Sequence, residues 1–136
     1  MKAIICGANG AMGKLIDGIL ADEVVGRVSL DGENGVPRTF AELGKVNADV
    51  VIDFSHHSAT KAVLDFALSR NLPTVIATTG QTDEEKQMIE QASRKIPLFY
   101  SGNMSIGIAL LVSLVKTAVQ VFPDADVEII ETHHNQ

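Results

Sequence analysis

Hydrophobic and polar positions along the chain form two kinds of segment in alternation. Compact apolar runs, each of which predicts a buried strand, occupy residues 3–6, 24–30, 48–54, 73–77, 96–100 and 127–132. Between these runs, apolar residues recur at the spacing of one helix face. The first such set comprises Met12, Leu15, Ile16, Ile19 and Leu20. Strands that alternate with helices predict a parallel sheet covered on both faces.

Three further helices are indicated by different signals. Helical spacing returns at Ala59, Ala62, Val63, Phe66 and Ala67. Thr82 and Glu85 have the spacing of a capping box, so a helix should begin there. Residues 104–122 are apolar almost all round, which is typical of a helix buried on most sides, against a sheet or a partner.

These elements predict an α/β fold of the Rossmann type. We expect a doubly wound parallel sheet of about six strands, with helices on both faces and the strand order 3-2-1-4-5-6. A chain of 136 residues fits one domain, and we find no linker or internal repeat. Residues 1–136 are therefore predicted to form one domain.

A glycine-rich segment follows the first predicted strand and opens the first predicted helix. It comprises Gly7, Ala8, Asn9, Gly10, Ala11, Met12 and Gly13. Glycines allow a tight turn and a close approach to a pyrophosphate, and a helix N-terminus offers unpaired N–H groups to the same ligand. The segment therefore predicts a dinucleotide-binding loop. The alternative is a plain glycine-rich turn that packs the helix on the strand.

An acidic residue stands at the end of the second predicted strand. Asp31 lies 18 residues beyond Gly13, where a carboxylate can accept hydrogen bonds from the adenosine ribose and favour NAD over NADP. A turn aspartate beside Gly32 explains the same residue equally well. Arg38 could instead reach a 2′-phosphate, so the preference between the two cofactors stays open.

Three more loops follow predicted strands, at residues 53–55, 77–80 and 101–105. Ligands of open α/β sheets bind in the crevice at this edge, and small, hydroxylated residues leave room for a nicotinamide. Ordinary cap chemistry is the alternative, because Ser55, Thr82 and Ser105 are good helix caps.

A histidine pair, His133 and His134, follows the last predicted strand. Either could serve as a general acid or a ligand. Adjacent strand residues point to opposite faces, so the pair would not chelate one metal, and we predict no metal site. Exposed histidines in a polar tail are the alternative.

Composition narrows the classes of partner. The 11 Lys and Arg residues against 17 Asp and Glu give a net charge of −6, which disfavours nucleic acid as a ligand. A small anion remains compatible, since backbone amides can hold it. The single cysteine suits a reducing compartment, and no apolar run reaches the roughly 18 residues of a membrane span. We therefore expect a soluble, cytoplasmic protein without membrane association.

Taken together, these segments resemble the N-terminal part of the dihydrodipicolinate reductase family. The resemblance rests on residues 7–13, 51–55, 77–80, 102–107 and 128–134, which occur in the family's order. It implies an oxidoreductase that uses NADH or NADPH. The reaction it implies is reduction of the cyclic imine dihydrodipicolinate to tetrahydrodipicolinate, in diaminopimelate and lysine biosynthesis.

The resemblance also implies roles for individual residues. The pyrophosphate would be held by Gly7, Ala8, Asn9, Gly10, Ala11 and Met12. The nicotinamide site would be lined by Ala77, Thr78, Thr79, Ser101, Gly102, Asn103 and Met104. His133 falls on the family's proton donor, and His134 falls on a contact to the substrate carboxylate.

The chain also departs from the family pattern. Ala77 stands where glycine is usual and Met104 where phenylalanine is frequent. The family continues with a lysine-containing segment and a substrate-binding, tetramer-forming domain, both absent here. We therefore expect the cofactor-binding half of an enzyme, inactive alone, whose full-length form is a homotetramer acting on a small anionic heterocycle. The alternative is a non-catalytic NAD(P)-binding module with a regulatory or redox-sensing role.

Overall fold

The computed structural model describes residues 1–130 and residue 132. The chain divides into two compact units, Met1–Gly102 and Asn103–Gln136, and each is described by itself. The prediction of a single domain over residues 1–136 stays a prediction.

The first unit contains five strands and four α-helices. The strands are β1 (Ala3–Cys6), β2 (Val24–Val28), β3 (Val50–Asp53), β4 (Thr74–Ile76) and β5 (Leu98–Tyr100). The helices are α1 (Ala11–Leu20), α2 (Phe40–Leu43), α3 (Thr60–Arg70) and α4 (Asp83–Ser93). Short 3₁₀ turns lie at Ala21–Glu23, Glu33–Gly35 and His57–Ala59.

All neighbouring strands are parallel, which confirms the predicted Rossmann-type α/β class. The strand order is β2-β1-β3-β4-β5, so the predicted order 3-2-1-4-5-6 is wrong. Strand β3 pairs with β1 on one side and with β4 on the other, and Val51 and Asp53 are fully buried. Pairing on both sides makes β3 a central strand, whereas the predicted order would have put it at the edge of the sheet beyond β2.

Helices cover both faces of the sheet, as predicted. On one face, Ile4 and Cys6 of β1 pack in a cluster with Phe66 of α3, and α2 and α4 lie on the same face. On the other face, Ile5 packs with Ile16 of α1. The alternation of side chains along β1 therefore sends neighbouring residues into two separate cores.

The second unit contains one helix, α5 (Ile106–Val121), within its described residues. The Ser105 hydroxyl caps it by accepting from the Ile108 N–H at 3.3 Å. The predicted helix at residues 104–122 is confirmed over Ile106–Val121. Its side chains are exposed, and the described part of its unit has no sheet or second helix to cover them, so their burial against a partner stays a prediction.

A sixth strand, predicted at residues 127–132, is not formed over residues 127–130. The described residues of the second unit contain no other strand, and an unpaired strand leaves its backbone groups without partners. None of the helices that the structure describes is both long and apolar enough to cross a membrane.

Candidate functional site

Two glycines set the shape of the turn between β1 and α1. Gly7 has φ +76°, and a Cβ placed there would lie 2.6 Å from the Phe54 carbonyl oxygen. A Cβ on Gly13 would lie 2.1 Å from the Gly7 carbonyl oxygen. Both distances are far below van der Waals contact, so no other residue fits without moving the backbone. The first turn of α1 therefore packs directly against the loop that precedes it.

Among the described residues, the N-terminus of α1 lacks the side-chain cap that three other helices have. Thr39, Thr82 and Ser105 cap α2, α4 and α5 with their side chains. Gly10 occupies the capping position of α1, and no side chain among the described residues caps it there. The first N–H groups of an α-helix have no partner within the helix and carry partial positive charge. At α1 they can therefore bind an anion.

The glycine loop is joined to the loop after β2 through Asn9. Its Nδ2 donates to Asp31 Oδ1 at 2.6 Å and to the Glu33 carbonyl oxygen at 3.1 Å. The Glu33 N–H donates to the same Asp31 oxygen at 3.0 Å. These contacts hold the N-terminus of α1 and the Asp31 carboxylate in one connected arrangement.

Asp31 is exposed and has a favourable environment for its charge. Hydrogen bonds from the Glu33 N–H and then from Asn9 lower the pKa of Asp31, and the Arg38 charge acts in the same direction. The Arg38 Nη2 donates to the Asp31 carbonyl oxygen at 3.0 Å. The site therefore presents an ionised acceptor with a guanidinium on the same loop.

A cleft of about 260 Å³ opens between these loops. Its lining comprises Gly7, Gly10, Ser29, Leu30, Asp31, Phe54, Ser55 and His56. A second cavity of about 130 Å³ shares four of these residues and is otherwise lined by Cys6, Val28, Arg38, Thr39, Phe40, Ala59, Ala62 and Val63. The mainly apolar lining of the second cavity suits a flat heterocycle.

A second group of side chains connects the carboxyl ends of β3, β4 and β5. Asp53 is fully buried, and its Oδ1 accepts from both the N–H and the hydroxyl of Ser55. Its Oδ2 accepts from Thr78 Oγ1 at 3.2 Å. Gln81 Nε2 donates to Thr78 Oγ1 at 2.8 Å, and the Tyr100 hydroxyl donates to Gln81 Oε1 at 3.1 Å.

Burial dominates the electrostatics of this group. It raises the pKa of Asp53, against the opposing effect of hydrogen bonds from Ser55 and Thr78. Burial and then the Asp53 charge raise the pKa of Cys6 well above its usual value. The Cys6 thiol is therefore a neutral core group.

The two predicted loops at this edge lie together. Ala77 is half-buried, Thr78 is buried and Thr79 is exposed. A Cβ on Gly102 would lie 3.1 Å from Thr79 Cγ2, and the Ser101 N–H donates to the Ile76 carbonyl oxygen at 3.1 Å. The structure thus brings the first five of the seven predicted nicotinamide-site residues to one place.

The remaining predicted residues are placed differently. Asn103 and Met104 belong to the second unit, where Asn103 Oδ1 accepts from the Ser105 N–H at 2.8 Å and Met104 is exposed. His133 and His134 lie outside the described residues. Their predicted roles stay predictions.

Sequence reasoning missed a contact that joins the loop after β3 to α4. His57 Nδ1 lies 3.0 Å from Glu85 Oε2, which also accepts from the Thr82 N–H at 2.8 Å. The hydrogen bond from Thr82, followed by that from His57, lowers the pKa of Glu85. The His56–His57 pair after a strand end was the available signal. Within residues 1–130 and 132, no three His, Cys, Asp or Glu side chains are grouped as metal ligands.

The sequence is similar to a known protein family and to several named proteins. A family model described as "Dihydrodipicolinate reductase, N-terminus" matches residues 1–104. A protein of Caldanaerobacter subterraneus named 4-hydroxy-tetrahydrodipicolinate reductase is 44% identical over 99% of this chain and 56% of its own length. Proteins of the same name from Clostridium tetani and Campylobacter jejuni are each 38% identical, over 100% and 98% of this chain.

The chain spans about half the length of these relatives, 56% for the first two and 54% for the third. The family match covers the whole sheet and both groups of loops described above. The glycine loop and all five strands therefore belong to the matched region. By this match, the chain belongs to the dihydrodipicolinate reductase family.

Proposed function

We propose that the first unit binds NADH or NADPH at the carboxyl edge of its sheet. The main support for this proposal is the hydrogen bond that Asn9 Nδ2 donates to Asp31 Oδ1 at 2.6 Å. It joins an uncapped helix N-terminus, suited to a pyrophosphate, to an ionised carboxylate, suited to a ribose. A plain glycine-rich turn requires no such connection.

The residues present fit a dinucleotide. Gly7 and Gly13 let the loop backbone and the first turn of α1 pack directly together, and Gly7 and Gly10 line the cleft in which a pyrophosphate would lie. The N–H groups of Ala11 and Met12 would bind it, and Asp31 would accept from the adenosine ribose. The adjacent 130 Å³ cavity would take the adenine.

The nicotinamide half would then extend toward the ends of β3, β4 and β5. A dinucleotide crosses the sheet edge from the strand that carries the acidic residue, here β2, to strands on the other side of β1. Thr79 and Gly102 meet at that position. When bound, the nicotinamide would supply hydride, and Thr79, Ser101 and Gly102 would orient its ring.

The loop after β2 has one residue that would favour NADH and another that would favour NADPH. Asp31 favours an unphosphorylated ribose, because its charge repels a 2′-phosphate. Arg38 lies on the same loop and offers a guanidinium to a 2′-phosphate. The two residues therefore act in opposite directions on the choice between NADH and NADPH.

For the whole protein, we propose reduction of dihydrodipicolinate to tetrahydrodipicolinate in diaminopimelate and lysine biosynthesis. The names of the relatives and the family match support this activity. His133 would donate the proton and His134 would bind a substrate carboxylate. A cytoplasmic homotetramer that acts on this small anionic heterocycle completes the proposal.

The test is to follow NADH and NADPH consumption by the full-length protein with enzymatically generated dihydrodipicolinate. We expect substrate-dependent oxidation of at least one cofactor, and a large loss of kcat in His133→Ala. Binding of NADH without any turnover would contradict the reductase and favour a regulatory or redox-sensing module. Absence of nucleotide binding by folded protein would contradict the cofactor site itself.

A further inference from the structure

The hydrogen bonds at the ends of β3, β4 and β5 all run in one direction. The Tyr100 hydroxyl donates to Gln81 Oε1 at 3.1 Å, Gln81 Nε2 donates to Thr78 Oγ1 at 2.8 Å, and Thr78 donates to Asp53 Oδ2 at 3.2 Å. An ionised carboxylate can only accept, so Asp53 sets the direction of every bond in the series. We call these four residues the Asp53 chain.

The Asp53 chain is anchored and shielded. Asp53 is held from its other oxygen by the N–H and hydroxyl of Ser55, so its carboxylate cannot rotate without losing both bonds. The relative exposure is 0% for Asp53, 5% for Thr78 and 6% for Gln81. Water competes little at these atoms, and hydrogen bonds in such surroundings are strong and costly to break.

The Asp53 chain holds the loop after β4 in place. Gly80 within it has φ +85°, a conformation that other residues adopt rarely. Thr78 and Gln81 stand on either side of this glycine, and their side chains are bonded to each other. The loop is therefore closed on itself and tied to β3 through Asp53 and to β5 through Tyr100.

Thr78 and Thr79 were both predicted to line the nicotinamide site, but they have different surroundings in the structure. The Thr78 hydroxyl proton is used on Asp53, and its oxygen accepts from Gln81. Thr79 is exposed and lies against Gly102. The inward threonine thus holds the loop, while the outward one is available to a ligand.

We propose that Asp53 and Gln81 are positioning residues for the nicotinamide half of the bound dinucleotide. They act through Thr78 and fix where Thr79 and the loop backbone meet the ligand. This inference rests on the proposed binding of NADH or NADPH at the same edge. The adenosine half has its own support, because Asn9 and Asp31 lie at the end of the sheet that carries β2.

Asp53→Asn is a selective test of this arrangement. The amide keeps an oxygen for Ser55 and turns an N–H toward Thr78, so the bond between the two side chains reverses its direction. The Thr78 hydroxyl proton then loses its buried acceptor, which leaves one donor of the Asp53 chain unsatisfied while the Ser55 contacts remain. Gln81→Met removes both of the Gln81 links and serves as an independent second variant.

The matched control is Thr74→Val. Thr74 is a buried threonine at the start of β4, whereas Thr78 follows the end of this strand, and the Thr74 hydroxyl donates to the Leu72 carbonyl oxygen at 3.1 Å. Thr74→Val therefore removes a buried hydroxyl that makes no bond to the Asp53 chain.

The experiment measures the Kd of NADH and of ADP-ribose, which lacks the nicotinamide, by calorimetry on the full-length protein. We expect wild type to bind NADH more tightly than ADP-ribose. Asp53→Asn and Gln81→Met should weaken NADH binding about tenfold and change ADP-ribose binding less than about twofold. Thr74→Val should leave the ratio of the two constants at the wild-type value.

Equal weakening of both ligands in the two variants would overturn the inference, because a purely structural role affects both halves. Unchanged NADH binding in either folded variant would overturn it as well. If wild type binds ADP-ribose as tightly as NADH, the nicotinamide half has no site and the inference fails while the adenosine site stands. If wild type binds neither ligand, the proposed function fails and the inference fails with it.

Discussion

Two aspartates at the same sheet edge, Asp31 and Asp53, have opposite environments. Asp31 is exposed, and hydrogen bonds from Glu33 and Asn9 lower its pKa. Asp53 is fully buried, and burial raises its pKa. Both residues are aspartates at or just after the end of a strand of the same sheet, so the sequence alone does not distinguish their roles. An exposed charge can be offered to a ligand, whereas a buried one organises its neighbours.

The two regions built around these aspartates differ in the same way. The region proposed for the adenosine half, here called the adenosine region, combines the N-terminus of α1 with the exposed Asp31 and Arg38, which would recognise a ligand through electrostatics. The region proposed for the nicotinamide half, here called the nicotinamide region, is held by the buried Asp53 chain and would recognise a ligand through shape. Substitutions in the first region should therefore affect every dinucleotide fragment, and those in the second should affect only ligands with a nicotinamide.

The largest effect is expected at Gly13, in the turn that would bind the pyrophosphate common to NADH and ADP-ribose. In Gly13→Ala the new Cβ would meet the Gly7 carbonyl oxygen at 2.1 Å, so the loop or the helix must move. We expect the free energy of unfolding to fall by about 3 kcal/mol and binding of both NADH and ADP-ribose to be lost. Urea unfolding and calorimetry measure the two effects.

Gly18→Ala on the same helix is the matched control. A Cβ at Gly18 meets nothing within 4 Å, so this variant should be more stable by about 0.5–1 kcal/mol with unchanged binding. Full NADH affinity in Gly13→Ala would show that the close packing of the turn does not serve the ligand.

Charge in the adenosine region is tested by Asp31→Asn. We expect affinity for NADH and for ADP-ribose to fall together, by about tenfold, because both contain the ribose that Asp31 would bind. Affinity for NADPH should fall less, since repulsion of the 2′-phosphate is also removed. Asp65→Asn, which changes an exposed aspartate paired with Lys61 on α3, is the control. A fall for NADH without a fall for ADP-ribose would contradict the assignment of Asp31 to the adenosine half.

A smaller effect on stability is expected at Thr82, because α4 is capped by this side chain whereas Gly10, at the capping position of α1, has no side chain. Thr82 caps α4 in a capping box with Glu85. Thr82→Ala should lower the free energy of unfolding by about 1 kcal/mol and leave ADP-ribose binding unchanged. Denaturant titration and calorimetry check the two parts. A change in ADP-ribose affinity would show that the α4 terminus is coupled to the adenosine region.

The smallest effect concerns the pH dependence of stability at Asp53. Because burial raises the pKa of Asp53 in the folded state, the folded protein holds this proton more tightly than the unfolded chain does. The stability contribution of the Asp53 proton is complete below the ordinary pKa of 3.8 and is lost as pH rises through the raised value. Asp53→Asn lacks this titration. Urea unfolding of both proteins across this range should show wild type losing stability relative to the variant as pH rises, and a constant difference would contradict the account.

Local patterns predicted much of this fold. The run at residues 3–6 and the Thr82–Glu85 capping box are encoded by neighbouring residues, and both are confirmed. The strand order was missed, because the run at 48–54 carries no local mark of whether it pairs with β1 or lies beyond β2. Pairing of that kind depends on long-range packing.

The same limit applies to the candidate site. The glycine segment could be found because its residues are contiguous and tied to a strand–helix junction. The Asp53 chain joins residues that are 25, 3 and 19 positions apart, and its donor directions follow only from the folded arrangement. Gln81 stands in a polar stretch before a helix, and nothing in that stretch indicates that its side chain is buried.

Calorimetric titration with NADH would show whether the first unit holds a dinucleotide at this edge of its sheet. The wild-type protein is compared with the Gly13→Ala and Gly18→Ala variants. We expect saturable binding at one site per chain in wild type and in Gly18→Ala, and loss of binding in Gly13→Ala. If folded wild-type protein binds neither NADH nor NADPH, the first unit has no dinucleotide site.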